Sequence, residues 1–424
     1  MTLQKLTKFG LAVLILGVIP MIAGAEVGTH TDIVVAKDGS GDYTTITEAV
    51  DALSMYPYQR TVIYIKNGVY NEKLRINQNY ITLRGESRDS TIIRYSQLRS
   101  DWQENKDYIG PGVINIHGDD IVLENLTIEN SQPQMGEHAF TIYGDGNRII
   151  TNNCNIISKG GDTLALWNYK RGMYYHANSY IEGGVDFVCP RGWAFIGDSE
   201  FYEVRNTAAI WHAGNFDPNQ KLVIKNSSFD GAEEFELGRH HYSAQFYLIN
   251  CQFPEVMKDK PIYRVTYEDP SRNNPYYQGD RKYYYNCTKP GEEYSWYQNN
   301  LHEAPGDLSP SDITAEWTFD GKWNPESEQP VEVIGYEIDG KNLILEFSDL
   351  VTVRGEPAFE NSSGQKFSIK MQRFNDINKL TFTTNSDISE RVLTGKMRLI
   401  DGDIIASRAY VNIRSLRDMF QIID

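Results

Sequence analysis

Apolar and polar residues alternate in short runs along most of this chain, and the runs return at a nearly fixed interval. Ile121 and Leu123, Leu222 and Ile224, and Phe246 and Leu248 mark three of them. Alternation of period two predicts strands rather than helices. A short phrase follows each run: Asn or Asp, a small or apolar residue, a variable one, then usually an apolar one. It reads Asn125-Leu126-Thr127-Ile128, Asn153-Cys154-Asn155-Ile156, Asn178-Ser179-Tyr180-Ile181, Asp198-Ser199-Glu200-Phe201, Asn226-Ser227-Ser228-Phe229 and Asn250-Cys251-Gln252-Phe253, with a weaker copy at Asn286-Cys287-Thr288-Lys289. The intervals are 28, 25, 20, 28, 24 and 36 residues. Periods of this size indicate a solenoid. The economical form is a right-handed parallel β-helix, one turn per repeat, with Asn at a repeated corner. A leucine-rich repeat is disfavoured, because its leucine framework and its helix per repeat are missing.

The flanks read differently. Strand-like Ile33-Val34-Val35 precedes a helical stretch from Thr44-Thr45 to Leu53, with Ile46, Ala49, Val50 and Leu53 on one face. This helix is expected to cap the open first rung. Residues 95–110 read as an inserted polar loop, rungs as running from about 112 to 290, and residues 256–282 as long loops. The β-helix is placed over residues 32–325. After Trp323-Asn324-Pro325 the composition changes, and 331–424 shows short alternating runs (Glu332 to Ile338, Leu343 to Phe347, Lys366 to Met371, Lys379 to Phe382, Lys396 to Ile400). Their spacing predicts a small accessory β-sandwich.

Residues 1–25 are predicted to be a signal peptide: Lys5 and Lys8 precede an apolar run, Phe9 to Ile22, that ends in Ala23-Gly24-Ala25. No cysteine follows to carry a lipid, and no later run is apolar enough to span a bilayer, so a secreted or periplasmic monomer is expected. The formal charge is −16, and loss of the leader's lysines makes it more negative. Nucleic acid is excluded as a natural partner, and a polyanionic substrate must meet a locally favourable cleft. Cys154, Cys251 and Cys287 occupy the phrase slot that Ser179, Ser199 and Ser227 fill elsewhere. An interior column explains them better than disulfides do. Cys189 lies outside that register.

Asp162 and Asp186 are 24 residues apart, about one period. Residues one period apart lie side by side on neighbouring strands, roughly 4.8 Å apart. Two carboxylates so close cannot both ionise freely, which suits them to acid and nucleophile roles.

The motifs around them resemble those of the pectin methylesterases, family 8 of the carbohydrate esterases, over about residues 32–325. Ala36-Lys37-Asp38-Gly39-Ser40-Gly41-Asp42-Tyr43 looks like that family's start, and Gly68-Val69-Tyr70-Asn71-Glu72 is similar to its G-x-Y-x-E. Gly161-Asp162-Thr163-Leu164 resembles Q-D-T-L, and Val185-Asp186-Phe187-Val188 resembles V-D-F-I. Asp217-Pro218-Asn219-Gln220, Leu237-Gly238-Arg239, and Gly321 with Trp323 match further family segments. The resemblance implies an exported esterase that demethylates galacturonan, without metal or cofactor. Asp186 would be the nucleophile that forms an acyl-enzyme, and Asp162 the acid and base. Arg239 would keep Asp186 charged.

Departures cluster at this site. The family's oxyanion hole uses two glutamine amides, where this chain has His138, in His138-Ala139-Phe140-Thr141-Ile142, and Gly161. His138 can donate an N–H and is the candidate oxyanion donor; Gly161 is expected to open space beside Asp162. L-G-R-P-W has become Leu237-Gly238-Arg239-His240-His241, and Asp186-Phe187-Val188 runs into Cys189-Pro190. Trp167, Trp211 and His241 are candidate sugar-binding residues. His212, His240 and His241 lack metal-ligand spacing. Alternative functions are an acyl or acetyl esterase on another uronate polysaccharide, glycoside hydrolysis or lyase chemistry on the same scaffold, and a non-catalytic glycan-binding β-helix.

Overall fold

The computed structural model describes residues 33–55, 60–214, 216–327, 331–348, 351–370, 378–389, 393, 396–406 and 419–421. The predicted leader lies outside them. Three parallel sheets wrap one core. The longest runs in chain order through ten strands, from Ile33–Val35 and Thr61–Ile65 to Phe246–Ile249 and Lys282–Tyr285. A second holds seven strands, from Gly68–Tyr70 to Ser228–Gly231. The third begins with Leu74–Ile76, Ile114–Ile116, Ile142–Gly144 and Leu164–Leu166. It continues through the Leu164–Val188 and Val188–Ile210 bridges into Ala208–Trp211, Glu236–His240 and Tyr263–Arg264. This is the right-handed parallel β-helix that the repeat predicts. Coiling begins at the first strand, well before residue 112.

The repeated Asn forms the corner between the first two sheets. Asn125, Asn153, Asn178, Asp198, Asn226, Asn250 and Asn286 have φ between 48° and 54°, a left-handed conformation that Asn and Asp tolerate best among residues with a Cβ. Their amides form a ladder: Asn153 donates to Asn125 at 2.8 Å, Asn250 to Asn226 at 2.9 Å and Asn286 to Asn250 at 3.0 Å. The next residue points inward. The backbone N–H of Cys154 donates to Ser179 Oγ (3.2 Å), that of Ser179 to Ser199 Oγ (3.2 Å), and that of Ser199 to Ser227 Oγ (3.1 Å). Cys154, Cys251 and Cys287 are free thiols in this buried column. Two residues further on, Phe201 stacks on Phe229 at 4.6 Å and Phe253 follows at 5.7 Å, tilted by 48°.

The predicted helix spans Ile46–Asp51, with Thr45 as N-cap and Ile46, Ala49 and Val50 buried. Glu72, from the G-x-Y-x-E motif, accepts from the backbone N–H of Ile46 (3.1 Å) and Thr47 (2.8 Å), satisfying donors that a helix start leaves open. The 95–110 stretch contains a short helix, Arg99–Glu104, where a plain loop was expected. Residues 301–323 cover the outer face of the long sheet, seating Phe319 and Trp323 against it. Beyond residue 331, seven strands hydrogen-bond as a single antiparallel sheet among the described residues. They include Val351–Glu360, which the sequence pattern had not marked. Leu343, Leu345, Phe359, Phe367, Leu380 and Phe382 gather in one buried cluster there.

Candidate active site

Asp162 and Asp186 stand at the same place on successive rungs, each two residues before a bridged pair, Leu164 and Val188. Both have left-handed backbones, φ 57° and 55°. Asp162 N–H donates to Val185 O at 3.3 Å and Asp186 N–H to Ala208 O at 2.6 Å, so each turn is pinned to the rung beyond it. Their side chains are 11 % and 13 % exposed.

Arg239 comes from Glu236–His240, on the rung beyond Ala208–Trp211. Its Nε lies 2.9 Å from Asp186 Oδ1 and its Nη2 2.7 Å from Oδ2, a two-point clamp. Burial pushes the Asp186 carboxyl up, and Arg239 opposes that shift. The Asp186 contact in turn pushes the guanidinium up. Tyr263 pairs with Arg239 in the sheet. Behind it Lys260 reaches Glu236 at 2.9 Å, which ties down the strand carrying the arginine.

His138 lies on the rung before Asp162, bridged to Gly161. Its Nδ1 is 3.0 Å from Asp162 Oδ2, and its side chain is 44 % exposed. The contact with Asp162 pushes the imidazole up, burial and Arg99 oppose this, and Asp186 adds a smaller upward pull. His138 was expected beside Asp186 as an oxyanion donor; its direct partner is Asp162. The space expected at Gly161 is filled. A Cβ there would lie 2.8 Å from Val185 Cγ1, 2.9 Å from Val185 O and 3.1 Å from His138 Nδ1. Cys189 closes the other side of Asp162, its thiol 3.5 Å from Oδ1, and burial keeps that thiol protonated.

The aromatic candidates do gather near these acids. Trp167 donates through Nε1 to Cys189 O at 3.0 Å, and Trp211 through Nε1 to His241 Nδ1 at 2.8 Å. Burial and Arg239 both push His241 down, as an acceptor nitrogen requires. Trp211 is only 7 % exposed, so it packs rather than offering a free sugar platform. His212 and His240 turn away, to Gly192 O at 2.7 Å and Tyr242 O at 2.6 Å. Among the described residues no group of three metal-type donors converges.

Two residues went unmarked in the sequence. Arg191 is wedged among three rings, its Cζ 3.8 Å from the Trp167 centroid, 4.9 Å from Tyr169 and 5.3 Å from Trp211. Its Nε is buried without a hydrogen-bond partner, and Asp162 is the carboxylate whose charge it feels. The departure after Val188, Cys189-Pro190-Arg191-Gly192-Trp193, was the available signal. Glu203 lies beneath the Asp186 turn. Its Oε1 accepts from Arg205 N–H and Thr207 Oγ1, both at 3.1 Å, and Thr207 Oγ1 accepts from Val185 N–H at 3.1 Å. Burial pushes the Glu203 carboxyl up to about 9. The available signal was its register, two residues after the inward Phe201 and so on the same face.

A coiled sheet that presents a guanidinium-clamped carboxylate beside a second carboxylate one rung away defines a parallel β-helix of the paired-acid type. The chain belongs to the pectinesterase family, whose family model matches residues 32–248. Pectinesterase 31 of Arabidopsis thaliana is 31 % identical over 163 residues, 36 % of this chain and 50 % of that protein. Probable pectinesterase 8 of the same plant is 26 % identical over 290 residues, 64 % of this chain and 70 % of its own length. Over these and similar relatives the chain spans between 28 % and 70 % of the relative's own length. Among solved structures, pectin methylesterase PemA from Erwinia chrysanthemi superimposes with a TM-score of 0.57 at 22 % identity, over 70 % of this chain and 99 % of that one. The carrot pectin methylesterase gives 0.51 at 23 %, over 63 % and 85 %. These structural likenesses establish the fold.

Proposed function

We propose that this protein hydrolyses methyl esters of galacturonan, with Asp186 as the nucleophile. One observation carries the reading: Asp186 is held at two points by Arg239, on the rung next to Asp162. A carboxylate clamped in this way is fixed in orientation and kept from neighbouring donors. It attacks the ester carbonyl, methanol leaves, and water clears the acyl-enzyme. The family supplies the substrate class, and a pectin methylesterase of the same fold is known in complex with a hexasaccharide. Arg99, Arg191 and Arg239 supply local positive charge in an acidic chain, as a polyuronate requires. Export directed by residues 1–25, and an accessory role for residues 331–424, belong to the same reading.

The test is methanol release from methyl-esterified galacturonan by the full chain, with acetylated glycans in parallel. Release that disappears in Asp186→Asn supports the proposal. Acetate release without methanol would transfer the reading to an acyl esterase. Glycan affinity with neither product would leave a binding module.

A further inference from the structure

The two aspartates are not equally equipped to handle a proton. Asp186 meets a guanidinium, which only donates. Asp162 meets the ring of His138 at Oδ2, 3.0 Å away, and the thiol of Cys189 at Oδ1, 3.5 Å away. Both Asp162 oxygens therefore face donors, and a carboxylate accepting at both oxygens has no proton to pass on. His138 is the opposite case. Its Nδ1 is engaged by Asp162, which fixes the ring's direction, and its Nε2 has no protein partner among the described residues. The side chain is 44 % exposed on the site's open side. Asp162 and Asp186 favour its charged form, and Arg99 opposes it. Arg191 and Cys189 face Asp162, the first through its charge and the second through its thiol.

We propose that His138 is the catalytic acid and base of this protein, and that Asp162 is its positioning residue. The proposal rests on the ester-hydrolase reading above and replaces the acid and base within it. In the first step an Asp186 oxygen forms a bond to the ester carbon. As the C–O bond to the methyl group's oxygen breaks, the departing methoxide takes the proton from His138 Nε2, giving methanol, an acyl-enzyme anhydride and a neutral imidazole. In the second step that imidazole removes a proton from water, the hydroxide oxygen bonds to the acyl carbon, and the anhydride bond breaks to return the Asp186 carboxylate. The products are a galacturonate carboxyl group and the original imidazolium. Asp162 accepts the Nδ1–H throughout and stabilises the cation, which is how a carboxylate supports a histidine in proton transfer.

The missing glutamines fit this arrangement. A Cβ at residue 161 would lie 3.1 Å from His138 Nδ1, so Gly161 leaves the room in which the ring meets Asp162. A side chain at 161 would push the ring away.

His138→Gln separates the two possibilities, because it restores the family's amide while removing the proton carrier. If His138 is the acid and base, His138→Gln loses about 10²-fold or more in kcat with little change in KM, as general acid–base catalysis implies. The alkaline limb of the wild-type pH profile also disappears in the variant. Equal or higher kcat in His138→Gln, with the limb retained, overturns the proposal. Asp186→Asn is the control: activity surviving there defeats the esterase reading itself, independently of His138. Should His138→Gln fail to fold, imidazole NMR of the wild type and of Asp162→Asn decides. The proposal expects one histidine titrating above the usual range in the wild type and falling in Asp162→Asn. No such histidine overturns it.

Discussion

Gly161 and His138 occupy one space: the position of a Cβ on residue 161 lies 3.1 Å from the imidazole Nδ1 of residue 138. The two departures from the family's glutamines are therefore coupled. Losing the side chain at 161 admits the ring, and the ring fills what the side chain vacated. Val185 O, 2.9 Å from the same point, is backbone and cannot turn aside.

Gly161→Ala should then destabilise the folded chain by about 1–3 kcal/mol, the usual cost of overpacking a filled site. Thermal melting of the purified variant measures it. Combining it with His138→Ala should recover part of the loss, leaving the Val185 contribution. An unchanged melting temperature in Gly161→Ala would show that the space is open after all.

Arg239→Lys tests whether the two-point clamp matters beyond its charge. Lysine keeps the cation but cannot contact both Asp186 oxygens in one plane. Burial raises Asp186, and Arg239 is the main opposing influence. With the clamp weakened, the Asp186 carboxyl should rise further. The acid limb of the kcat/KM profile should then move to higher pH, and activity at neutral pH should fall by about 10-fold or more. A variant with the wild-type limb and rate would assign Arg239 a packing role only.

Much of this architecture is legible in the sequence. The Asn phrase repeats because one corner recurs, and that corner demands a left-handed residue once per rung. The neighbouring Cys and Ser share a slot because both fit an inward column closed by backbone donors. The relation of Asp162 to Asp186 follows from the same period. What the sequence could not give is which side-chain atoms meet. The His138–Asp162 contact depends on a ring orientation and on space at Gly161. The seat of Arg191 depends on three rings, two from the segment after Leu164–Leu166 and one from Ala208–Trp211. Glu203 falls two residues after the inward Phe201 and so on the same buried face, but the hydroxyl of Thr207 that meets it there could not be read from the pattern.

Glu203 gives a pH-dependent prediction. Its ordinary value is 4.5, and burial raises it to about 9 in the folded chain. Below about pH 4.5 both folded and unfolded chains hold the proton, so the group's stabilising contribution is complete. Between there and about 9 the unfolded chain has released the proton that the folded chain retains. Stability then falls with rising pH, by at most about 1.4 kcal/mol per unit from this group. Glu203→Gln removes the dependence. Its melting temperature relative to wild type should climb from pH 5 to pH 8. A difference that stays constant over that range would mean that Glu203 ionises freely where it sits.

Arg191 gives the last prediction, which concerns substrate binding rather than chemistry. Its guanidinium carbon is 3.8 Å from the Trp167 centroid, and its Nε is buried with no hydrogen-bond partner. Cation–π contact holds the group in place without neutralising its charge. A carboxylate on the bound polyuronate is the partner that this charge would meet. Hydrogen bonds to charged groups contribute about 1.5–3 kcal/mol each, so Arg191→Gln should raise KM for galacturonan by about 10-fold or more. The change in kcat should be much smaller, because the contact forms on binding and persists through the reaction. Added salt should weaken binding to the wild type more than to the variant, since part of the interaction is charge. A variant with unchanged KM and unchanged salt dependence, still folded by circular dichroism, would reduce Arg191 to a spacer between Trp167 and Trp211.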